Sequence, residues 1–151
     1  MIDSLDQLGD WLGPLIERLT PAQRRRAAVE IGRELRRSQV QRIGAQLAPD
    51  GSAYEPRKPP RLRERAGAIR RGAMFSKIKK ARYLKTEATA DAAAVGFAGS
   101  VARIAAVHQF GQLDRPEPKG PEVRYPERQL LGFSPADREL IETILTRHLG
   151  L

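Results

Sequence analysis

The chain has 151 residues and a net charge of +9, and 40% of it is hydrophobic, enough for the core of one ordinary domain. It has no cysteine, which excludes disulfides, thiolate nucleophiles and Cys-ligated zinc or iron–sulfur centres at once and fits a reducing compartment. No stretch approaches the roughly 20 consecutive apolar residues of a membrane span, and the acidic start "MIDSLDQLGDWLGPLIERL" is unlike a signal peptide or a membrane anchor.

Residues 3 to 18 read as a short amphipathic helix opened by Asp3 or Ser4, with Leu5, Leu8, Trp11, Leu12, Leu15, Ile16 and Leu19 at three- and four-residue spacing. Gly13-Pro14 falls inside it and predicts a break or kink, because Pro14 has no N–H to donate. "TPAQ" at 20–23 starts a second helix: Thr20 caps, Pro21 takes the first helical position, and Gln23 stands where a capping-box partner belongs. That helix is predicted to reach about Leu47, with Ala28, Ile31, Leu35, Val40, Ile43 and Leu47 on a packed stripe. Arg24, Arg25, Arg33, Arg36, Arg37 and Arg42 form its basic face. "PDG" at 49–51 closes the helix, and the three prolines of "EPRKPP" at 55–60 forbid regular structure.

Charge then becomes uneven. From Arg57 to Lys85 twelve basic residues face a single acid, Glu64, so this segment carries +11 and the remainder −2. Such a block suits an arm that meets something negative, either nucleic acid or an acidic protein surface; the plainer reading is a solvated loop that promotes solubility. Large apolar residues are sparse here (Leu62, Ile69, Met74, Phe75, Ile78, Leu84), so the arm is expected to order on a partner.

Tyr83 to Ala90 alternates, Asp91 turns the chain, and Ala93 to Ala98 alternates again, which predicts a β-hairpin. Gly99-Ser100 ends it, with Ser100 as the cap of a third helix from Val101 to about Phe110. Gly111 then takes the left-handed position. Residues 112–121 read as an exposed loop and "EVRYPER" as a short edge strand limited by Pro126. "SPADRELIETILTRHL" is the clearest helix: Ser134 caps, Pro135 comes first, Asp137 favours the positive end, and Leu140, Ile141, Ile144, Leu145 and Leu149 make the buried stripe. The predicted fold class is α+β, a small antiparallel sheet flanked by helices with an extended basic arm. Residues 1–151 form one domain, with N-terminal helices at 3–47, the arm at 54–82 and an α+β body at 83–151.

The sequence offers no catalytic pattern. His108 and His148 are the only imidazoles and show no His-x-x-x-His or Glu-x-x-His spacing, so neither a metal nor another cofactor is expected. Asp91, Asp114, Glu117 and Glu122 sit in or beside predicted turns; the glycines at 96, 99 and 111 form no phosphate loop, and no GxSxG surrounds Ser100. His108 reads as a polar residue in the last turn of a helix, where its cation suits the negative helix end, or as an interface contact. A hydrolase using His108 with an acid is the remoter alternative. Only Phe75 and Tyr83 interrupt the basic block as aromatics, too few for a base-stacking platform, and no helix-turn-helix, zinc finger or RNP motif is present. A small basic nucleic-acid-binding protein, touching phosphate without reading sequence, is the alternative in another class.

Four blocks in order carry a resemblance: "PDGSAYEPRK", "GAMFSKIKKARYLK", "AAVGFAGSVARIAAVHQFG" and "YPERQLLGFSPADRELIETILTRHL". Together they resemble the phage virion morphogenesis family, the tail completion proteins of Mu-like and related contractile-tailed phages, from about Arg33 to Leu149. "VHQFG" and the "ER.LLGFSPAD" lead into the last helix are the most specific parts. The resemblance implies a structural virion protein at the head-proximal end of a tail, with a fold similar to tail-terminator and neck proteins. It also implies a ring of identical subunits that touches the tail tube, the tail terminator or the neck and connector. Arg57, Lys58, Arg61, Arg70, Arg71, Lys77, Lys79, Lys80 and Arg82 are the candidate assembly or phosphate contacts, and on a lumen-facing arm they would also touch DNA passing through the neck. His108, Gln109, Phe110 and Gly111 are a candidate structural junction, and no membrane contact is implied.

Overall fold

The computed structural model describes residues 5–58 and 72–151. The helix start expected at Asp3 or Ser4, and Arg61, Leu62, Arg63, Arg65, Ile69, Arg70 and Arg71 of the basic arm, lie outside the described residues. Among the described residues there are four helices, α1 (Leu5–Ile16), α2 (Pro21–Gly44), α3 (Ala102–Phe110) and α4 (Pro135–Leu149). With them are four strands, β1 (Leu84–Ala88), β2 (Ala93–Phe97), β3 (Leu113–Asp114) and β4 (Val123–Arg124), so the class is α+β.

Capping chemistry sets where the two longest helices begin. The Thr20 hydroxyl accepts the Gln23 N–H at 3.2 Å while the Gln23 amide accepts the Thr20 N–H at 2.8 Å. Ser134 and Asp137 make the same reciprocal pair at the start of α4. Each box satisfies two of the helix-start N–H groups that have no partner within the helix. Asp137 is also buried beneath α2, where its second carboxylate oxygen accepts the Ser38 hydroxyl, so one side chain fixes both the start of α4 and its seat on α2.

Helix α1 does not break at Gly13-Pro14; it continues to Ile16, and the Glu17 N–H reaches the Gly13 carbonyl at 3.2 Å. Pro14 lies in the last turn, and the carbonyl to which its missing N–H would have donated belongs to Asp10, an exposed residue. The α2 stripe is also shifted from expectation. The helix ends at Gly44, and its buried residues are Ala27, Ala28, Gly32, Leu35, Gln39 and Ile43, with Gln39 in place of Val40. Its basic face is partly turned inward: the Arg36 Nε donates to the Leu84 carbonyl at 2.8 Å, and Arg42 donates to the Leu130 carbonyl at 3.1 Å.

β1 and β2 pair as the expected antiparallel hairpin, with Leu84 opposite Phe97 and Ala88 opposite Ala93. The Thr89 hydroxyl accepts the Asp91 and Ala92 N–H groups in the turn. α2 lies close over this hairpin at Gly32, where a Cβ would stand 3.6 Å from Thr86. The edge strand expected in "EVRYPER" does not join the hairpin. Val123–Arg124 instead pairs with Leu113–Asp114, inside the stretch read as a loop, to make a second two-stranded ribbon. Ser100 is not a cap either: Gly99–Val101 forms a 3-10 turn, Val101 takes the N-cap position, and no side chain bonds there. Gly99, at φ +71°, turns the chain so that Ser100 is already inside this helical turn.

Two apolar clusters divide the interior. Leu12, Leu35 and Ile141 join α1, α2 and α4, with Val95 of the hairpin against them. Ile43, Tyr54, Ala105 and Leu130 gather at the other end of α2, with Met74, Phe75, Ile78 and Phe97 around them. α2 is thus the strut shared by both, and the second cluster supports the site described next. Among the described residues no helix is long and apolar enough to cross a membrane.

Candidate functional site

The end of α3 organises the second cluster. Gly111 has φ +60° and ψ +46°, and its N–H returns to the Val107 carbonyl, a left-handed helix stop. The chain then passes so close to residue 127 that a Cβ on Gly111 would sit 3.1 Å from the Glu127 nitrogen. The preceding residues hold the returning strand: the Arg128 N–H donates to the His108 carbonyl at 2.7 Å. The Gln109 carboxamide accepts the Leu130 and Leu131 N–H groups at 2.8 and 2.9 Å and donates to the Leu131 carbonyl at 3.0 Å. Phe110, by contrast, is 66% exposed and lines a shallow surface depression with Phe97, Ala106 and Leu131.

Two other glutamines act in the same way. Gln46, at φ +61°, accepts the Met74 N–H and donates to the Met74 and Ile43 carbonyls, tying the later part of the basic arm to the end of α2. Buried Gln39 donates to the Gly132 carbonyl at 2.7 Å and accepts from Arg42. Each amide offers donor and acceptor side by side, as a β-strand does; Gln46 and Gln109 use both on main chain where no ladder exists, whereas Gln39 donates to main chain and accepts from a side chain. Sequence reasoning missed Gln39 and Gln46 because a glutamine in or beside a helix carries no signature of a partner 28 or 93 residues away.

His108 stands in a row of aromatic rings. Phe75 and Tyr125 meet it edge to face, each at 4.9 Å between centroids, and Tyr54 meets Phe75 at 5.7 Å. Its Nδ1 lies 3.3 Å from an Arg128 nitrogen. A guanidinium only donates, so Nδ1 accepts and the proton of the neutral ring sits on Nε2. Burial first, and then the Arg128 charge, hold His108 below the usual imidazole range, with Asp114 opposing. This corrects the expectation of a cation at the helix end: the dipole of a nine-residue helix does not offset a half-buried site beside an arginine.

The sign of the pH effect follows. His108 takes up a proton more readily in the unfolded chain, so stability is fully present above about pH 6.5 and falls as pH drops from there through the lower folded-state value. Urea denaturation midpoints at pH 7.5 and 5 should separate for the natural chain and draw together for His108→Gln, which keeps an acceptor for Arg128 but cannot titrate.

Arg128 was not singled out by the sequence, yet it is 5% exposed and central. Its guanidinium donates to the Glu55 and Pro56 carbonyls at 2.7 and 3.2 Å, tying the start of the basic arm to α3 through His108. Burial lowers its pKa, Glu55 opposing and Arg57 adding to the effect. Beside it opens a cleft of about 670 Å³ whose apolar walls include Phe75, Ile78, Ile104 and Tyr125.

Among the described residues the candidate cations do not form one patch. Arg57, Lys58 and Lys77 line this cleft, joined by Arg124, and Arg57 donates to the Gly72 carbonyl at 2.9 Å. Lys79 lies instead over Gly44, its ammonium 2.8 Å from where a Cβ would be, at the negative end of α2. Lys80 is exposed, and the Arg82 guanidinium stands 5.5 Å from the Tyr83 ring. Arg61, Arg70 and Arg71 are outside the described residues. Among the described residues no three His, Asp or Glu side chains gather as metal ligands do.

A model of the phage virion morphogenesis family matches residues 3–150, so the match takes in α1 as well as the four blocks of the resemblance. The chain belongs to the phage virion morphogenesis family. Tail completion protein S of Escherichia phage P2 is 41% identical over 141 residues, 93% of each chain. No solved structure matches the chain. For a virion morphogenesis protein, the cation-rimmed cleft and the exposed Phe110 are the surfaces of interest, since such proteins act through contacts with other virion components.

Proposed function

We propose that this virion morphogenesis protein completes the head-proximal end of a phage tail and prepares it for joining to the head, as a ring of identical subunits. The observation that carries the reading is the 41% identity to a protein named for tail completion, sustained over 93% of both chains. The α2 strut with its two clusters supports it as a body able to bear load, and the cationic cleft supports it as a docking surface. Its partners on this reading are further copies of itself and the tail tube, terminator or connector, and its place is the tail and neck of the virion. It works as a structural component and not as an enzyme.

Quantitative mass spectrometry of gradient-purified particles tests the reading. A small fixed number of copies per particle, matching one or two rings, is expected, and a phage lacking the gene should accumulate separate heads and tails. Normal joining without the gene overturns it.

The basic block favours a second reading, contact with the DNA that passes through the neck. The logarithm of any DNA affinity would then fall linearly with the logarithm of salt concentration. Charge reversal at Lys77, Lys80 and Arg82 would flatten that slope while leaving the fold intact.

A further inference from the structure

The outward face of α1 is the chain's unusual surface. Leu12, Leu15 and Ile16 face the first cluster, whereas Trp11, the only tryptophan, is 49% exposed. Asp10, Pro14 and Glu17 are exposed with it, at three- and four-residue spacing around one side of the helix. Residues 1–17 carry four acids and no lysine or arginine, in a chain of net charge +9. An exposed indole with carboxylates along one side of it suits the cleft in chemistry and sign, because that cleft has aromatic and aliphatic walls under a rim of Lys58, Lys77 and Arg124. Its volume of about 670 Å³ lies within the range of roughly 300–1,000 Å³ for pockets that enclose a ligand.

We propose that Trp11 of one copy of this chain docks into the Phe75–Ile104–Tyr125 cleft of a second copy, with Asp10 and Glu17 of the first against Lys58, Lys77 and Arg124 of the second. The chain does not fill its own cleft with α1, which is seated on Leu35 and Ile141 while the cleft lies beyond Ile43 at the other end of α2. Two different surfaces meet in this contact, so where it is not made reciprocally across a two-fold axis it repeats from copy to copy, and it closes a ring when the rotation between copies closes. A self-repelling basic chain needs such local charge reversal in order to associate, and a tryptophan set in an apolar pocket is the usual anchor of an interface. The proposal rests on the self-assembly reading above and assigns its contact.

The absence of cysteine makes the test clean. Chains with Trp11→Cys mixed with chains carrying Ile104→Cys, under mild oxidant, should form linked dimers at least ten times faster than Trp11→Cys mixed with chains carrying Leu151→Cys, an exposed site away from the cleft. In the natural chain, Trp11 emission should shift to the blue as concentration rises. Lys77→Glu with Arg124→Glu should abolish the shift with helical content unchanged, and mixing with Asp10→Lys, Glu17→Lys chains should restore it. Oligomers that form with no emission shift and no preferential linkage overturn this contact while leaving self-assembly intact. A chain that stays monomeric throughout, or a cleft that takes only an acidic segment of another tail protein, also overturns it, and the copy number per particle then judges the tail reading separately.

Discussion

Gly111→Val should lower the free energy of unfolding by about 3 kcal/mol, combining about 1–2 kcal/mol for a left-handed residue with a Cβ and about 1–3 kcal/mol for forced overlap. The overlap is with main chain, the Glu127 nitrogen at 3.1 Å and its Cα at 3.3 Å, so rotation of a side chain cannot relieve it. Gly111→Asn separates the two contributions, because asparagine tolerates the left-handed region but keeps the Cβ; about half the loss should remain. Denaturant midpoints at unchanged slope give both numbers. A valine variant as stable as the natural chain would mean that α3 does not stop in this way.

Gln109→Leu should cost about 2–4 kcal/mol. Leucine nearly matches the volume but strands the N–H groups of Leu130 and Leu131, and Leu130 is fully buried. Each stranded group costs about 1–3 kcal/mol. Gln109→Glu is the informative companion. It keeps both acceptor contacts yet sets a carboxylate oxygen against the Leu131 carbonyl, so it should be destabilised at pH 7 and recover toward pH 4, where the protonated acid donates again. If the leucine variant were unaffected, the return of the chain from Arg128 to Leu131 would not depend on this amide.

What the sequence made legible was local. Thr20 with Gln23 could be read because a capping box closes within three residues, and Ser134 was legible as a cap, whereas Asp137 was legible only by its charge and not as the other half of a box. The hairpin could be read because alternation repeats over five residues in each strand. The β3–β4 ribbon escaped notice because strands of two residues carry no period. Ser100 misled because a serine after a glycine at the start of an apolar run fits a cap and a 3-10 turn equally well. The candidate site divided along the same line: Gly111 and the helix stop could be foreseen from composition, whereas the partners of His108 come from residues 75, 125 and 128 and are brought together only by folding. Charge counting found Arg57, Lys58 and Lys77 but passed over Arg124 and Arg128, which lie far outside the basic block.

The three glutamine amides also bear on how such a protein changes over generations. A carboxamide that grips only main-chain atoms is indifferent to the side chains at the positions it holds. Gln39 also binds the Arg42 side chain, and the Gly132 it holds has no room for a Cβ. Gln46 and Gln109, however, hold Met74 and Leu131 by their peptide groups, so these two grips do not depend on which side chain stands there. A component that must keep fitting tail and neck proteins that are themselves diverging can therefore reshape the surface it presents without first rebuilding the frame that carries it.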